Sequence, residues 1–365
     1  MLTHTHFDLA VIGGGPAGSS AAITAARLGA RVVLFEARDY PRHKVCGEFI
    51  SAEALDVLAS LLEQSPAAQA MFEAAPAIQR TRLWLGRRVM EAPVSPAALS
   101  IARYVLDAQL WSAARAVGVA TRANCEVSSV QGDGPFQLPT SCGDYSAKAL
   151  IVAAGRWSQF TRDRSVSPGP RWIGVKGHFQ EARPKASTDL YFFEGGYCGV
   201  QPVAKDIVNA CAMVRSDCAT SLEEVFQQHL ELAVRAAGWS RVTPPVTTAP
   251  LIYRQPAPVE GNVVFAGDAA AFIDPFVGDG ISIALRSGQA AAQCIAKFLS
   301  GEATLRQAGT AYQHEYSRQF APLLLVASRV RSVLTLPPVA RAAAFELLRL
   351  PGVMSYVIRK TRRAA

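Results

Sequence analysis

Four short stretches of this 365-residue chain carry residue types and spacings suited to chemistry. Gly13-x-Gly15-x-x-Gly18 is a tight turn whose bare backbone can approach a phosphate pair. Glu36 stands where a carboxylate accepts hydrogen bonds from the two hydroxyls of a ribose. Far along the chain, Gly267-Asp268 is followed by Pro275 and by Gly278-Asp279-Gly280-Ile281. Asp268 can accept from a sugar-chain hydroxyl, and the amides of residues 278–281 can face an electron-rich ring. Between these stretches lies the basic loop Pro41-Arg42-His43-Lys44-Val45-Cys46-Gly47-Glu48, with one thiol. Arg42 and Lys44 are expected to lower the Cys46 pKa and favour a thiolate. Cys46 then has three functional readings: proton relay or substrate contact, charge-transfer partner, and covalent attachment to a cofactor. The plain alternative is a free cysteine in a covering loop.

The elements that must position these groups are legible around them. Phe7 to Ile12 is a short apolar strand, the Ala-rich run from Pro16 to Leu28 has helical composition, and Arg31 to Phe35 is the next strand. Strand, glycine turn, helix and strand make a βαβ unit whose helix N-terminus offers free amides to phosphates. Pro16 and Ala17 open that helix, and Ala37 follows Glu36. This unit serves NAD and FAD equally. The later stretch decides for FAD, which needs a second anchor for its ribityl chain and flavin ring. Val263 to Ala266 is the strand that delivers Gly267 and Asp268, and a long small-residue helix follows Gly280.

The Gly267-Asp268 stretch resembles the Gly-Asp motif of the superfamily containing the geranylgeranyl reductases and para-hydroxybenzoate hydroxylase. Arg103 with Leu106, Asp107 and Leu110 is similar to that superfamily's Arg-x-x-Leu-Asp-x-x-Leu helix, which implies an arginine contact to FAD. Cys46-Gly47 resembles the Cys-Gly loop of the geranylgeranyl reductases, which lies by the flavin. Two departures accompany these matches. The strand from Ala149 ends in Ala154-Gly155 where the aromatic hydroxylases carry an Asp-Gly tied to FAD and NADPH handling, which counts against a standard NADPH-dependent aromatic hydroxylase. The reductases' Tyr-x-Trp-x-Phe-Pro stretch is matched only in part, by Tyr191 to Tyr197, which weakens the case for an isoprenoid substrate. No Trp-x-Trp-x-Ile-Pro element is present, and Trp239 stands alone, so halogenation ranks lower.

Trp172 to Gln180, Asp189 to Phe193, Tyr197 to Val203 and Ile207 to Val214 read as successive strands, with Gly195-Gly196 as a hairpin signal. An antiparallel sheet over the flavin would place His178, Tyr191, Phe193 and Tyr197 as candidate substrate contacts. Aromatics at period two also serve as plain core, and a lone strand histidine is usually structural.

Composition bounds the rest. A hydrophobic fraction of 50% supplies a sizeable core, and 18% charged residues argue against disorder. The net charge of +8 attracts phosphate-bearing cofactors, anionic lipid or nucleic acid alike. No recognisable RNA-binding pattern interleaves the basic residues with aromatics, so a nucleic-acid partner is not expected. The seven cysteines form no metal-ligand spacing, so no metal is expected, and with no charged-then-apolar leader a reducing, cytoplasmic setting is. Ala321 to Val330 and Arg341 to Ile358 are apolar with interspersed arginines and end in Arg359-Lys360-Thr361-Arg362-Arg363. Such helices cap a substrate lobe or lie peripherally on the inner membrane surface.

The expected architecture is α/β: a Rossmann-like FAD domain from 1–80, 101–165 and 255–300, and an interleaved antiparallel-sheet substrate domain from 81–100 and 166–254. A helical region from 301–365 completes it. The expected function is FAD-dependent redox chemistry on a hydrophobic small molecule, with NAD(P)H or another reductant as electron donor. Reduction of a carbon-carbon double bond leads, hydroxylation of a phenolic or polyketide-like substrate is the alternative, and a halogenase or non-catalytic flavoprotein ranks below both.

Overall fold

The computed structural model describes residues 5–63, 65–156, 159–160, 171–251, 255–272 and 278–334. β1 (Thr5–Ile12) leads through the glycine turn into α1 (Pro16–Arg27) and β2 (Val32–Phe35). Next come β3 (Phe49–Ile50), α2 (Ala52–Leu62), α3 (Pro66–Ala74), β4 (Ala77–Leu85), β5 (Arg88–Ser100) and α4 (Arg103–Ala116). β6 (Ala120–Arg122), β7 (Phe136–Thr140) and β8 (Gly143–Val152) follow. Then come β9 (Trp172–Gln180), β10 (Ser187–Phe193), β11 (Gly196–Ala204) and β12 (Ile207–Arg215). Two short helices, α5 (Leu222–Gln227) and α6 (Leu230–Ala236), precede the short strands β13 (Ser240–Arg241) and β14 (Val246–Thr247). The chain returns through β15 (Val259–Glu260), β16 (Val263–Phe265) and a 3-10 turn at Gly267–Ala269. α7 (Gly280–Leu299) and α8 (Leu305–Leu334) close the described part.

The first sheet runs β15-β16-β8-β1-β2-β6, with β7 beside β8. Its centre is parallel: β1 pairs with β2 and β8, β8 with β16, and β2 with β6. Parallel strands covered on both faces must be apolar on both faces, and Leu9 to Val11 and Val32 to Phe35 are buried without interruption. Full burial of side chains such as Leu9, Ile23 and Leu34 stabilises by about 1.5–3 kcal/mol each. α1 and α7 pack closely because a side chain is missing: a Cβ on Gly288 would lie 2.1 Å from the Ala17 carbonyl oxygen.

The second sheet runs β13-β9-β12-β11-β10-β4-β5-β3, with β14 beside β9. It is antiparallel except at one place, where β10 pairs in parallel with β4. That pairing draws β4, from Ala77 onward, and the distant Phe49–Ile50 into the sheet. The expected antiparallel sheet is present, with this one parallel pairing inside it. The turn between β10 and β11 is Glu194-Gly195, with Gly195 at φ +83, one residue earlier than the glycine pair suggests.

Two of the seven cysteines depart from the expectation of scattered thiols. Cys125 and Cys142 form a disulfide with a Cα separation of 5.6 Å. Backbone pairing brings them together, since the segment after β6 runs beside β7 and bridges Val127 to Thr140. The sequence separation of 17 carried no signal of it.

Candidate functional site

The turn after β1 is built so that no side chain intrudes. Gly13 sits at φ +102, and a Cβ there would come within 2.5 Å of the Ala153 carbonyl oxygen. A Cβ on Gly18 would lie 1.8 Å from the Gly13 oxygen, so only glycine lets α1 start so close to β1. Gly15 is different. It is the N-cap of α1, with Pro16 behind it at the first helical turn, and a Cβ would meet nothing nearer than Lys44 Nζ at 3.7 Å and an Arg103 nitrogen at 3.9 Å. The helix start therefore has open space flanked by two cations, the arrangement an anion needs.

Both cations are held by one buried carboxylate. Arg103, the first residue of α4, donates from Nε and Nη2 to Asp107 at 2.8 and 2.9 Å, and Lys44 reaches Asp107 at 3.0 Å. Burial alone would raise the Asp107 carboxyl, but the Arg103 and Lys44 charges outweigh it and hold the group below its usual range. Leu106 and Leu110 are fully buried on the same helix and fix its orientation. Arg103 is thus a clamped, largely covered cation and not a solvated helix charge.

Glu36, just after β2, is buried. Its Oε2 accepts from the Gly14 amide at 3.1 Å and its Oε1 from Arg42 at 2.9 Å. Ala37 beside it is exposed. Arg42 therefore serves Glu36, and Lys44 serves Asp107. The expectation that these two cations act on Cys46 is corrected: Arg42 and Lys44 are paired with Glu36 and Asp107, and Arg103 is the cation near the Cys46 sulfur. The Glu48 amide also donates to Cys46 Sγ at 3.3 Å.

The second anchor lies beside α1. Gly267 packs on Ala17, and its amide donates to Ser287 on α7 at 2.9 Å. Asp268 is partly exposed and pairs with Arg156 at 3.1 Å, while the Arg156 guanidinium lies 3.5 Å over the Phe272 ring. Gly155, at φ +78, precedes that arginine. Gly278, at φ +77, packs against Phe49, Asp279 caps α7, and Ile281 is buried. Among the described residues, nothing lies within 4 Å of a Cβ built on Gly280, the first residue of α7. Pro275 lies outside the described residues, as do Trp157, Ser158 and the basic tail from 341 to 363. Open glycines at both helix starts, two cations at one and a carboxylate near the other fit a dinucleotide flavin.

The loop carrying Cys46 crosses onto the second sheet. A Cβ on Gly174 would come within 2.8 Å of Val45, and Asn209 donates to the carbonyls of Cys46 and Gly47, both at 3.0 Å. Gly47 has open space around it. Glu48 then turns into the protein at φ +64 and is completely buried. Its carboxylate accepts from His178 Nε2 at 2.8 Å, from the Arg103 amide at 2.8 Å and from Lys176, itself 1% exposed. Burial favours the protonated acid, but the His178 hydrogen bond and the Lys176 charge prevail and hold the Glu48 carboxyl below its usual range. His43 stacks edge-on against His178 at 5.3 Å, and burial lowers its pKa. Sequence reasoning placed Glu48 only at the end of a loop and Lys176 nowhere. A charged residue inside an otherwise apolar strand was the available signal for Lys176.

Strand register sorts the expected substrate residues. His178, Asn209 and Gln201 are cross-strand neighbours on the face covered by the Cys46 loop, and Gly174, Met213, Tyr197 and Phe192 continue that face. Tyr191 and Phe193 fall on the other face, in a core with Phe179, Leu222 and Phe226. Tyr191 stacks on Trp84 at 5.6 Å and takes a hydrogen bond from Arg235 at 3.2 Å. Tyr191 and Phe193 are both core residues, whereas Phe192 lies on the opposite face in a cluster with Leu83, Tyr197 and Met213. His178 is on the correct face, but its ring is engaged by Glu48.

Residues 7–162 match the family described as pyridine nucleotide-disulphide oxidoreductase. The chain is 27% identical to a menaquinone reductase of Mycolicibacterium smegmatis, over 98% of this chain and 91% of that protein. It is also 27% identical to digeranylgeranylglycerophospholipid reductase 1 of Methanothermobacter thermautotrophicus, over 86% and 82% respectively. In fold it is similar to a flavin-dependent brominase, with a TM-score of 0.83 and 20% identity over 98% of this chain and 93% of the other. The glycine turn, the Asp107-held cations, the Gly-Asp stretch and these relationships agree: the chain is an FAD-dependent oxidoreductase, similar to reductases of that kind.

Proposed function

We propose that this protein reduces a carbon-carbon double bond in a hydrophobic substrate, drawing electrons from NAD(P)H or another reductant. The observation that carries the reading is the position of Cys46. Asn209 pins its backbone on the second sheet, while Arg103, at the start of α4 beside the glycine turn, stands near its thiol. The apolar end of the same face, with Phe192, Tyr197 and Met213, suits a greasy substrate. FAD, when bound, supplies the hydride for one carbon. The Cys46 thiol would supply the proton for the other and regain one from solvent. The two reductase relatives are named for menaquinone and for digeranylgeranylglycerophospholipid, both lipids, which supports reduction of a lipid here. Peripheral contact with a membrane surface follows from such a substrate, and no helix among the described residues is long and apolar enough to cross a membrane.

The test is turnover under argon with a pre-reduced enzyme and polyprenyl or enone substrates. Reoxidation of the flavin with formation of the saturated product supports the proposal. A strict requirement for oxygen, consumed stoichiometrically with a hydroxylated product, would make the enzyme a monooxygenase.

A further inference from the structure

α8 packs along α7 and the β15–β16 hairpin through Tyr312, Tyr316 and Phe320, spaced one turn apart and essentially fully buried. Their rings stack in sequence, Tyr312 on Tyr316 at 5.8 Å and Tyr316 on Phe320 at 4.9 Å. The two hydroxyls fare differently. Tyr312 donates to the Phe265 carbonyl at 2.9 Å, which ties α8 to the end of β16. Tyr316 is 1% exposed, and its hydroxyl has no hydrogen-bond partner among the described residues. Burial raises the pKa of the Tyr316 hydroxyl, and the charge of the Asp268 carboxylate, three residues beyond Phe265, reaches it and raises it further.

A buried hydroxyl without a partner costs about 1–3 kcal/mol, and a phenylalanine would fill the same space without that cost. Phe320 does so one turn further on. A hydroxyl in such a place, near the carboxylate assigned to the cofactor's second anchor, is open to a partner other than the described residues. Asp268 is held by Arg156 but remains partly exposed. A buried water needs two to four polar partners to be stable. Here it would have three: the Tyr316 hydroxyl, the Asp268 carboxylate and a hydroxyl of the ribityl chain.

We infer that Tyr316 is a positioning residue of the FAD site, holding Asp268 toward the ribityl chain through one buried water whose coordination is completed when FAD binds. α8 thereby belongs to the cofactor site, although none of the glycine motifs lies on it.

Tyr316→Phe tests this directly, with Tyr312→Phe as the contrasting variant. The full chain is stripped of flavin, the FAD dissociation constant is measured by flavin fluorescence, and the thermal midpoint of the flavin-free protein is recorded. Tyr316→Phe is expected to weaken FAD about 3- to 10-fold, the worth of one hydrogen bond, while the flavin-free midpoint stays level or rises. In the loaded protein the same change appears as faster FAD release on dilution. Tyr312→Phe is expected to lower the flavin-free midpoint, because it leaves the Phe265 carbonyl unpaired. FAD affinity unchanged within twofold in Tyr316→Phe would overturn the inference. So would a flavin-free midpoint that falls as it does in Tyr312→Phe, which would make the hydroxyl merely structural.

Discussion

The cradle at the start of α1 and the polar cluster around Glu48 are both charged sites, yet they are built by opposite means. The cradle is local: Gly13, Gly15, Gly18 and Glu36 lie within one βαβ unit, and its defining property is empty space. The Glu48 cluster is non-local and full. Its carboxylate draws His178 from 130 residues away and Lys176 from 128, and almost nothing in it is exposed. A site waiting for a ligand leaves its donors open at the surface of a helix end. A site that joins two sheets satisfies its charges internally, because an unpaired buried charge costs several kcal/mol. The same chain segment, residues 41–48, serves both, with Lys44 at the cradle and Glu48 at the centre of the cluster.

Filling the empty space should have the largest effect. Gly15→Val places a side chain where only the tips of Lys44 and Arg103 stand nearby, at a backbone φ of −72 that valine tolerates. The protein should fold with unchanged circular dichroism and lose FAD by at least about 100-fold, given the phosphate contacts at a helix start. Retention of full yellow colour after purification would show that the cradle is not the pyrophosphate site.

Emptying the full site comes next. Lys176→Met removes one partner of a buried pair and should cost about 3–5 kcal/mol in urea unfolding, with Lys176→Met/Glu48→Gln recovering part of the loss. The pH dependence has a definite sign. The Glu48 carboxyl lies lower in the folded protein than its ordinary 4.5, so its stabilisation is fully present above about pH 4.5. It is lost as the pH falls through the folded value. Glu48→Gln should flatten the acid limb of the stability curve, and an unaltered limb would mean that other carboxylates dominate it.

Cys46→Ser probes the segment that the two sites share. FAD content should stay at one per chain while turnover drops about 100-fold, the lower end of what a positioned acid contributes. Unchanged kinetics would reduce Cys46 to a covering residue. The smallest effect is expected on the far face of the second sheet. Tyr191→Phe should cost about 1 kcal/mol of stability through its Arg235 contact and leave KM within twofold, whereas Phe192→Ala should raise KM several-fold. Equal KM effects would mean that the two faces are misassigned.

The cradle was readable because its pattern is short-range. Gly18 is dictated by the Gly13 carbonyl five residues away, and strand, turn, helix and acid follow one another in order, although the close packing of Gly13 is against the distant Ala153 carbonyl. Asp268 and the α7 start were readable for the same reason. Tyr191 and Phe193 went to the wrong face because alternation tells which residues share a face but not which face is covered by what. That choice was made by the Cys46 loop lying on Gly174 and Asn209, contacts that no local pattern announces.

By itself, then, the amino-acid sequence determined the dinucleotide turn, its acid and the Gly-Asp anchor, since backbone sterics and helix-end electrostatics act within a few residues. Only the tertiary structure decided that Arg42 and Lys44 serve Glu36 and Asp107, that Glu48 is buried between Lys176 and His178, and that Cys125 meets Cys142. Buried charges and cross-links are settled by which distant groups arrive at the same place, and that is fixed by the packing of whole sheets and helices.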